Sequence, residues 1–228
     1  MTEAEWLTCN DPDELLGHVG AGASERKARL LACACCRRLG DAVPESFWET
    51  LGVAERYADR QANRSALVPD LKAVLRSDMA VQAAARAAYA DADLTILRQS
   101  MRHAAWSAAG RERAKLFDTF YSAAPPLPFQ WLIDKLDKPL EVEYAAQADL
   151  VRDVFGNRFR PTTFSWRTSD AVGLARLIYD DRVFDRLPIL ADALTDAGCD
   201  DEDILAHCRS AGPHVRGCWV VDLVLGKE

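Results

Sequence analysis

The sequence predicts an all-α protein, a helical bundle followed by a compact C-terminal unit of short helices. Two observations carry this prediction. Apolar residues recur at the three- and four-residue spacing of a helix in most segments, whereas the alternating pattern of strands is rare. Alanine, the residue with the highest helix propensity, is concentrated between residues 69 and 121, where small side chains also allow helices to pack closely.

Prolines mark the expected boundary between two halves of the chain. Three of them fall within residues 125–128, which stops any helix and produces a stiff, extended segment. We therefore expect an N-terminal helical bundle over residues 1–122, a proline-containing connection over 123–139 and a C-terminal helical unit over 140–228. The sequence leaves open whether the two halves pack as one domain.

In the N-terminal half, the first helix is expected to begin at Pro12, directly after the capping residues Asn10 and Asp11. A second helix covers about residues 24–39, and a third opens at Pro44. The second has a continuous apolar stripe at helical spacing, formed by Ala28, Leu31, Ala32, Cys35 and Leu39.

In the C-terminal half, a helix over about residues 140–155 is expected to end at Gly156, since glycine favours the left-handed conformation of a C-cap. Ser169 and Asp200 are the predicted N-caps of later helices. Gly212–Pro213 is expected to open the last helix, because proline is favoured in the first turn.

Composition narrows the class of protein further. The chain has 228 residues and a net charge of −7, which argues against binding nucleic acid or anionic membranes through bulk charge. Its N-terminus lacks the pattern of a secretion signal, and no apolar run approaches the roughly 20 residues of a membrane-spanning helix. Seven cysteines, an odd number, indicate a reducing compartment. We expect a cytoplasmic protein that has no disulfide framework and no membrane partner.

Potential metal ligands are concentrated near the C-terminus, where Cys199, His207, Cys208, His214 and Cys218 occur in a chain with only four histidines. A tight turn between the last two helices is expected to place His207 or Cys208 beside His214 and Cys218. Nitrogen and sulfur donors of this kind hold tetrahedral zinc, so zinc is the candidate cofactor. Cys199 is less suitable, because it lies about 12 Å from Cys208 along a helix.

Two properties of the expected last helix bear on this cluster. Apolar residues occupy nearly every face of this helix, which is typical of a buried helix. The alternative interpretation is therefore that the cluster is packed core and binds no metal. His214 is expected at the helix N-terminus, where the helix dipole disfavours the imidazolium and keeps the side chain neutral.

Three further cysteines, Cys33, Cys35 and Cys36, fall within the second predicted helix. We expect them to be small core residues. The alternative is a redox or metal-binding role, because the neighbouring Arg37 and Arg38 would lower the pKa of a thiol and make it reactive.

The loop after the helix over 140–155 carries Arg158, Arg160 and Arg167 among aromatic residues. Arginine combined with aromatic side chains is suited to binding phosphates or stacking on bases, which makes these residues candidates for an anion or nucleic-acid site. In the alternative arrangement the loop folds onto the body of the protein and the arginines pair with local acids.

Four blocks of the sequence resemble the recurring blocks of an uncharacterised bacterial family common among planctomycete hypothetical proteins. They are MTEAEWLTCNDP, SERKARLLACACCRR, AAQADLVRDVFGNRFRP and DRLPILADALTDAGCDDEDILAHCRSAGPHVRGCWVVDLVLGKE. The resemblance covers both ends and the middle loop, and it implies no known activity and no catalytic residues.

Motifs of common enzymes do not occur: there is no P-loop, GxGxxG, GxSxG or HExxH. Cys218 with His214 is the obvious Cys/His pair, but a buried apolar helix is a poor place for a substrate. The leading expectation is a non-enzymatic interaction or regulatory module with a protein partner, stabilised by zinc. The alternatives are a metal- or thiol-dependent enzyme using the C-terminal cluster, and a nucleic-acid or phosphate binder using the arginine loop.

Overall fold

The structure is a computed structural model, and it describes most of the two ends of the chain. The described residues are 1–40, 45–63, 66, 97–110 except 99, 103 and 106, and 138–227 except 161 and 163. The greater part of the alanine-rich region at 69–121 and of the proline-containing connection at 123–139 lies outside the described residues, and so do the expectations for them.

The protein is all-α, as predicted, and the described residues contain no strand. The helices with described bounds are α1 Glu3–Thr8, α2 Pro12–Val19, α3 Glu25–Arg37, α4 Glu45–Ala58, α5 Lys138–Phe155, α6 Ser169–Asp181, α7 Leu187–Asp196, α8 Glu202–Arg209 and α9 Trp219–Leu225. No described helix has both the length and the apolar character needed to cross a membrane.

The chain divides into two compact units. Unit 1 combines residues 1–8 with residues 149–228, and unit 2 comprises residues 9–148. Helix α1, which the sequence analysis did not predict, thus belongs with the C-terminal part of the chain.

In unit 2, helix α3 is buried on nearly every side and packs against α4. The Ser24 hydroxyl caps it by accepting a hydrogen bond from the Lys27 backbone. Cys33, Cys35 and Cys36 have no exposed surface. The prediction that these three cysteines are core residues is confirmed.

The alternative interpretation, in which Arg37 and Arg38 activate these thiols, is wrong. Burial raises the pKa of all three thiols, to about 12 at Cys36, and outweighs the opposing charges of Arg37 at Cys33 and Cys36 and of Arg38 at Cys35. Arg37 instead makes two hydrogen bonds to Glu55, at 2.7 and 3.0 Å, and Arg38 binds Glu143 in the same way. The thiols are therefore protonated and unreactive at neutral pH.

Unit 1 is built around a core contributed by α6, α7, α8 and α9. The N-caps of α6 and α8 are Thr168 and Asp201, each one residue away from the predicted cap. Helix α5 ends before Gly156, whose φ of 66° is the left-handed conformation expected there.

Side chains from the end of α5 and the following loop anchor helix α1 to unit 1. The Arg152 guanidinium donates to the Trp6 carbonyl at 2.8 Å, and the Asn157 amide donates to Glu3 at 2.6 Å. Trp6 is buried with 1% of its surface exposed. These contacts join residues that are about 150 positions apart, so no local pattern reports them.

The prediction that the last helix opens at Gly212–Pro213 is wrong, because α9 begins only at Trp219 and residues 211–218 form a non-helical loop. Gly212 and Gly217 have φ of 91° and 95°, which a right-handed helix does not allow. His214 therefore does not lie at a helix N-terminus and shares no helical face with Cys218.

Candidate metal centre

Unit 1 brings together four potential metal ligands, Asp153, His207, His214 and Cys218, whose donor atoms all lie within 4.8 Å of one another. His207 Nε2 is 3.2 Å from Asp153 Oδ1 and 3.2 Å from Cys218 Sγ. His214 Nδ1 is 2.9 Å from Asp153 Oδ1. Donors bound tetrahedrally to zinc are roughly 3.3–3.8 Å apart, so the three separations fall slightly short of this range and the donors would have to move apart a little to bind zinc.

Three separate parts of the chain supply these ligands. Asp153 lies in the last turn of α5, and His207 lies in the last turn of α8. His214 and Cys218 belong to the loop at 211–218. The loop geometry depends on Gly212, because a Cβ atom there would lie 2.9 Å from the His214 backbone nitrogen.

Asp153 is the central group of the cluster, with 2% of its side chain exposed. Its Oδ1 faces both histidines, and its Oδ2 accepts a hydrogen bond of 3.0 Å from the Val215 backbone. Burial opposes ionisation of this carboxyl, but the hydrogen bonds to His207 and His214 outweigh burial and lower the pKa of Asp153. The Asp153 side chain is therefore a buried carboxylate at neutral pH.

The hydrogen bonds of His214 show what its ring nitrogens must carry. Its Nε2 lies 3.2 Å from the Ser210 carbonyl oxygen, which can only accept, so Nε2 bears a hydrogen. If the ring is neutral, Nδ1 then carries no hydrogen, and its lone pair faces Asp153 Oδ1 at 2.9 Å. Two acceptors at this distance need a proton or a cation between them.

The helix-dipole reason for expecting a neutral His214 is wrong, because no helix begins at this residue. Burial disfavours its charged form, but the hydrogen bond and the negative charge of Asp153 outweigh burial and raise the pKa of His214. A bound metal ion would take the place of this proton. Cys218 has no exposed surface, and burial raises the pKa of its thiol well above the usual range.

Of the four metal ligands predicted from the sequence, the structure brings together His207, His214 and Cys218, but not Cys208. Cys208 is fully buried in the apolar core of unit 1, and burial raises its pKa to about 12. Asp153 takes the fourth place and was not predicted. Since it precedes His207 by more than fifty residues, no ligand spacing in the sequence pointed to it.

The three arginines of the candidate anion site do not act together. Arg160 pairs with Glu3 at 2.6 Å and with both carboxylate oxygens of Asp203 at 3.1 Å. Arg167 donates to the Leu223 carbonyl at 2.8 Å. All three arginines are exposed, but Arg160 pairs with acids, as in the alternative arrangement, and Arg167 pairs with a backbone carbonyl.

Comparison of the chain with protein-family models, with curated proteins and with solved structures gives no match. The resemblance to a planctomycete family therefore stays a prediction. The functional argument accordingly depends on the geometry and chemistry of the site.

Proposed function

We propose that the protein is a non-enzymatic interaction or regulatory module whose unit 1 is stabilised by a zinc ion bound to Asp153, His207, His214 and Cys218. The observation that carries this proposal is the convergence of four donors from three separate parts of the chain within 4.8 Å. In two of these residues the atom that does not face the cluster is held by a hydrogen bond. Asp153 Oδ2 accepts from the Val215 amide, and His214 Nε2 donates to the Ser210 carbonyl. Hydrogen bonds of this type orient the ligands of metal sites.

The donor set favours zinc over other common cations. Two imidazole nitrogens, one sulfur and one carboxylate oxygen suit a tetrahedral zinc ion, whereas magnesium and calcium prefer shells of oxygen alone. The position of Asp153 at the C-terminal end of α5 adds to the attraction for a cation, because the helix dipole is negative there.

A structural role is favoured over a catalytic one. Catalytic zinc usually has three protein ligands and an open position for water, whereas four protein ligands are available here. Asp153 and Cys218 are buried, and the side chains of His207 and His214 are only 18% and 7% exposed. Zinc held in this way would tie the last turn of α5 to α8 and to the loop that leads into α9.

The remaining parts of the proposal concern the setting and the partner. The odd number of cysteines, seven, favours a reducing compartment such as the cytoplasm. A net charge of −7 favours a protein partner over nucleic acid.

The decisive experiment is metal analysis of the wild type and two matched cysteine variants. The protein is purified without chelator or added metal, its zinc content is measured, and the metal is then exchanged for Co²⁺. We expect about one metal ion per chain, with the visible bands and the sulfur-to-metal charge-transfer band of a tetrahedral cobalt thiolate. Cys218→Ser should lose the charge-transfer band, whereas Cys208→Ser, which changes an equally buried cysteine of the same unit, should keep it.

Two results would contradict the proposal. One is a wild type that holds no metal after zinc has been offered and the excess removed. The other is a charge-transfer band that survives in Cys218→Ser. A shift of the cobalt spectrum on adding azide would instead reveal an open coordination position and favour the metalloenzyme alternative.

A further inference from the structure

A cavity of about 250 Å³ in unit 1 is lined by the loop that follows α5 and by residues of α8 and α9. This volume lies just below the roughly 300–1,000 Å³ of pockets for drug-sized ligands, so it suits a molecule the size of a small metabolite. None of the four proposed zinc ligands lines the cavity. The cavity is therefore a separate site from the metal centre, although its lining residue Trp219 directly follows the proposed ligand Cys218.

Most of the polar side chains that line the cavity are already engaged with groups of the same unit. Arg160 is held by Glu3 and Asp203. The Asn157 amide nitrogen donates to Glu3 at 2.6 Å, and its oxygen accepts from the Phe159 backbone at 3.0 Å. These hydrogen bonds and ion pairs hold the rim of the cavity in place. The carboxylates of Glu3 and Asp203 are both paired within them.

Arg158 and Thr162 are the two exceptions. Both line the cavity, and neither has a hydrogen-bonding or ionic partner within the described part of the chain. The Arg158 side chain is exposed and the Thr162 side chain is half-buried. A guanidinium and a hydroxyl at one cavity offer several hydrogen-bond donors to an anion, with the fork geometry that matches a carboxylate.

The aromatic residues Phe155 and Trp219 form the apolar part of the lining. Trp219 packs closely against Gly156, where a Cβ atom would approach its ring to 3.0 Å. The tryptophan ring also lies 5.2 Å from the ring of His207, between centroids. These contacts hold the indole in a defined position, so the aromatic lining is preorganised.

We propose that this cavity binds a small organic carboxylate with a flat, apolar body. Arg158 and Thr162 bind the carboxylate group, and Phe155 and Trp219 contact the body. A monoanion is favoured over a phosphate dianion because Arg160, the second cation of the lining, is already neutralised by Glu3 and Asp203. Arg158 and Arg160 together with Glu3 and Asp203 carry no net charge, which disfavours a dianion more strongly than a monoanion.

The test is a titration of the zinc-loaded full chain with benzoate, followed by NMR at the indole N–H of Trp219, which is assigned with a Trp219→Phe variant. Benzyl alcohol is the neutral probe of similar shape, and inorganic phosphate is the anion without an apolar body. Arg158→Gln removes the proposed cation. Arg176→Gln is the matched control, because it removes an exposed arginine of α6 in the same unit.

We expect saturable binding of benzoate by the wild type and by Arg176→Gln, with the Kd raised at least tenfold in Arg158→Gln. Benzyl alcohol and phosphate should each bind at least tenfold more weakly than benzoate. The proposal is overturned if benzoate does not saturate, if Arg158→Gln binds it as well as the wild type does, or if either other probe binds equally well. Because Arg158 is exposed, its substitution should leave the melting temperature unchanged, which is checked in parallel.

Discussion

Helix α3 of unit 2 and the C-terminal cluster of unit 1 look alike in the sequence, since each combines several cysteines with basic neighbours. Cys35 and Cys218 are also equally buried in the structure, with no exposed surface. What differs is the set of polar groups at the sulfur. Around α3 the arginines pair with Glu55 and Glu143, whereas Cys218 Sγ has His207 Nε2 at 3.2 Å. Burial alone thus does not distinguish a core cysteine from a candidate ligand.

The largest effect that separates the two regions is expected for Asp153→Asn. It removes the buried charge that faces both histidines, so we expect loss of zinc and a decrease of about 3–5 kcal/mol in the free energy of unfolding. Urea denaturation and metal analysis measure the two effects. Asp149→Asn is the control in the same helix, since that side chain is 54% exposed and should cost about 0.5 kcal/mol or less. Equal losses of zinc and of stability in the two variants would contradict the proposed role of Asp153 as a metal ligand.

Removal of zinc is expected to have the next largest effect. At a zinc concentration of about 100 times Kd, binding stabilises the folded form by about 2.7 kcal/mol. For a unit of this size, that corresponds to a decrease of roughly 10–20 °C in melting temperature when a chelator is added. Differential scanning calorimetry with and without chelator provides the measurement. In Cys218→Ser the chelator should change little, and a full decrease in that variant would contradict the proposed site.

Gly212→Ala is expected to move the proposed ligand His214 without changing any of the four ligand side chains. The added Cβ would lie 2.9 Å from the His214 backbone nitrogen, so His214 must shift and the affinity for zinc should fall at least tenfold. Gly198→Ala is matched in φ, with 87° against 91°, but its Cβ meets nothing within 4 Å. Both variants should lose about 1–2 kcal/mol of stability from backbone strain. Competition with a chromophoric chelator shows whether only Gly212→Ala also loses affinity.

The smallest effect is expected in α3. Cys35→Ala removes one buried sulfur from packed core, which should cost about 1 kcal/mol of unfolding free energy. The zinc content should stay at the wild-type value, because no imidazole or carboxylate contact of the kind seen at Cys218 is described for Cys35. Chemical denaturation and metal analysis of the same sample test both statements. A fall in zinc content would show that α3 contributes to metal binding after all.

Local features of the structure were largely predictable. The apolar spacing of α3, the Asp11 cap of α2 and the end of α5 at Gly156 each depend on residues within one or two turns. The exceptions have physical reasons. The last helix begins later than predicted because Gly212 and Gly217 adopt positive φ, which a right-handed helix does not allow.

By itself, the sequence determined the helical class, several helix ends and three of the four candidate ligands, because periodicity, capping and residue type act over short distances. Only the tertiary structure decided which side chains meet. In the folded protein Asp153 contacts both His207 and His214, whereas Cys208 is buried in the core. Arg160 forms ion pairs with Glu3 and Asp203. These contacts join residues that lie 43 to more than 150 positions apart, and the packing of whole helices sets them.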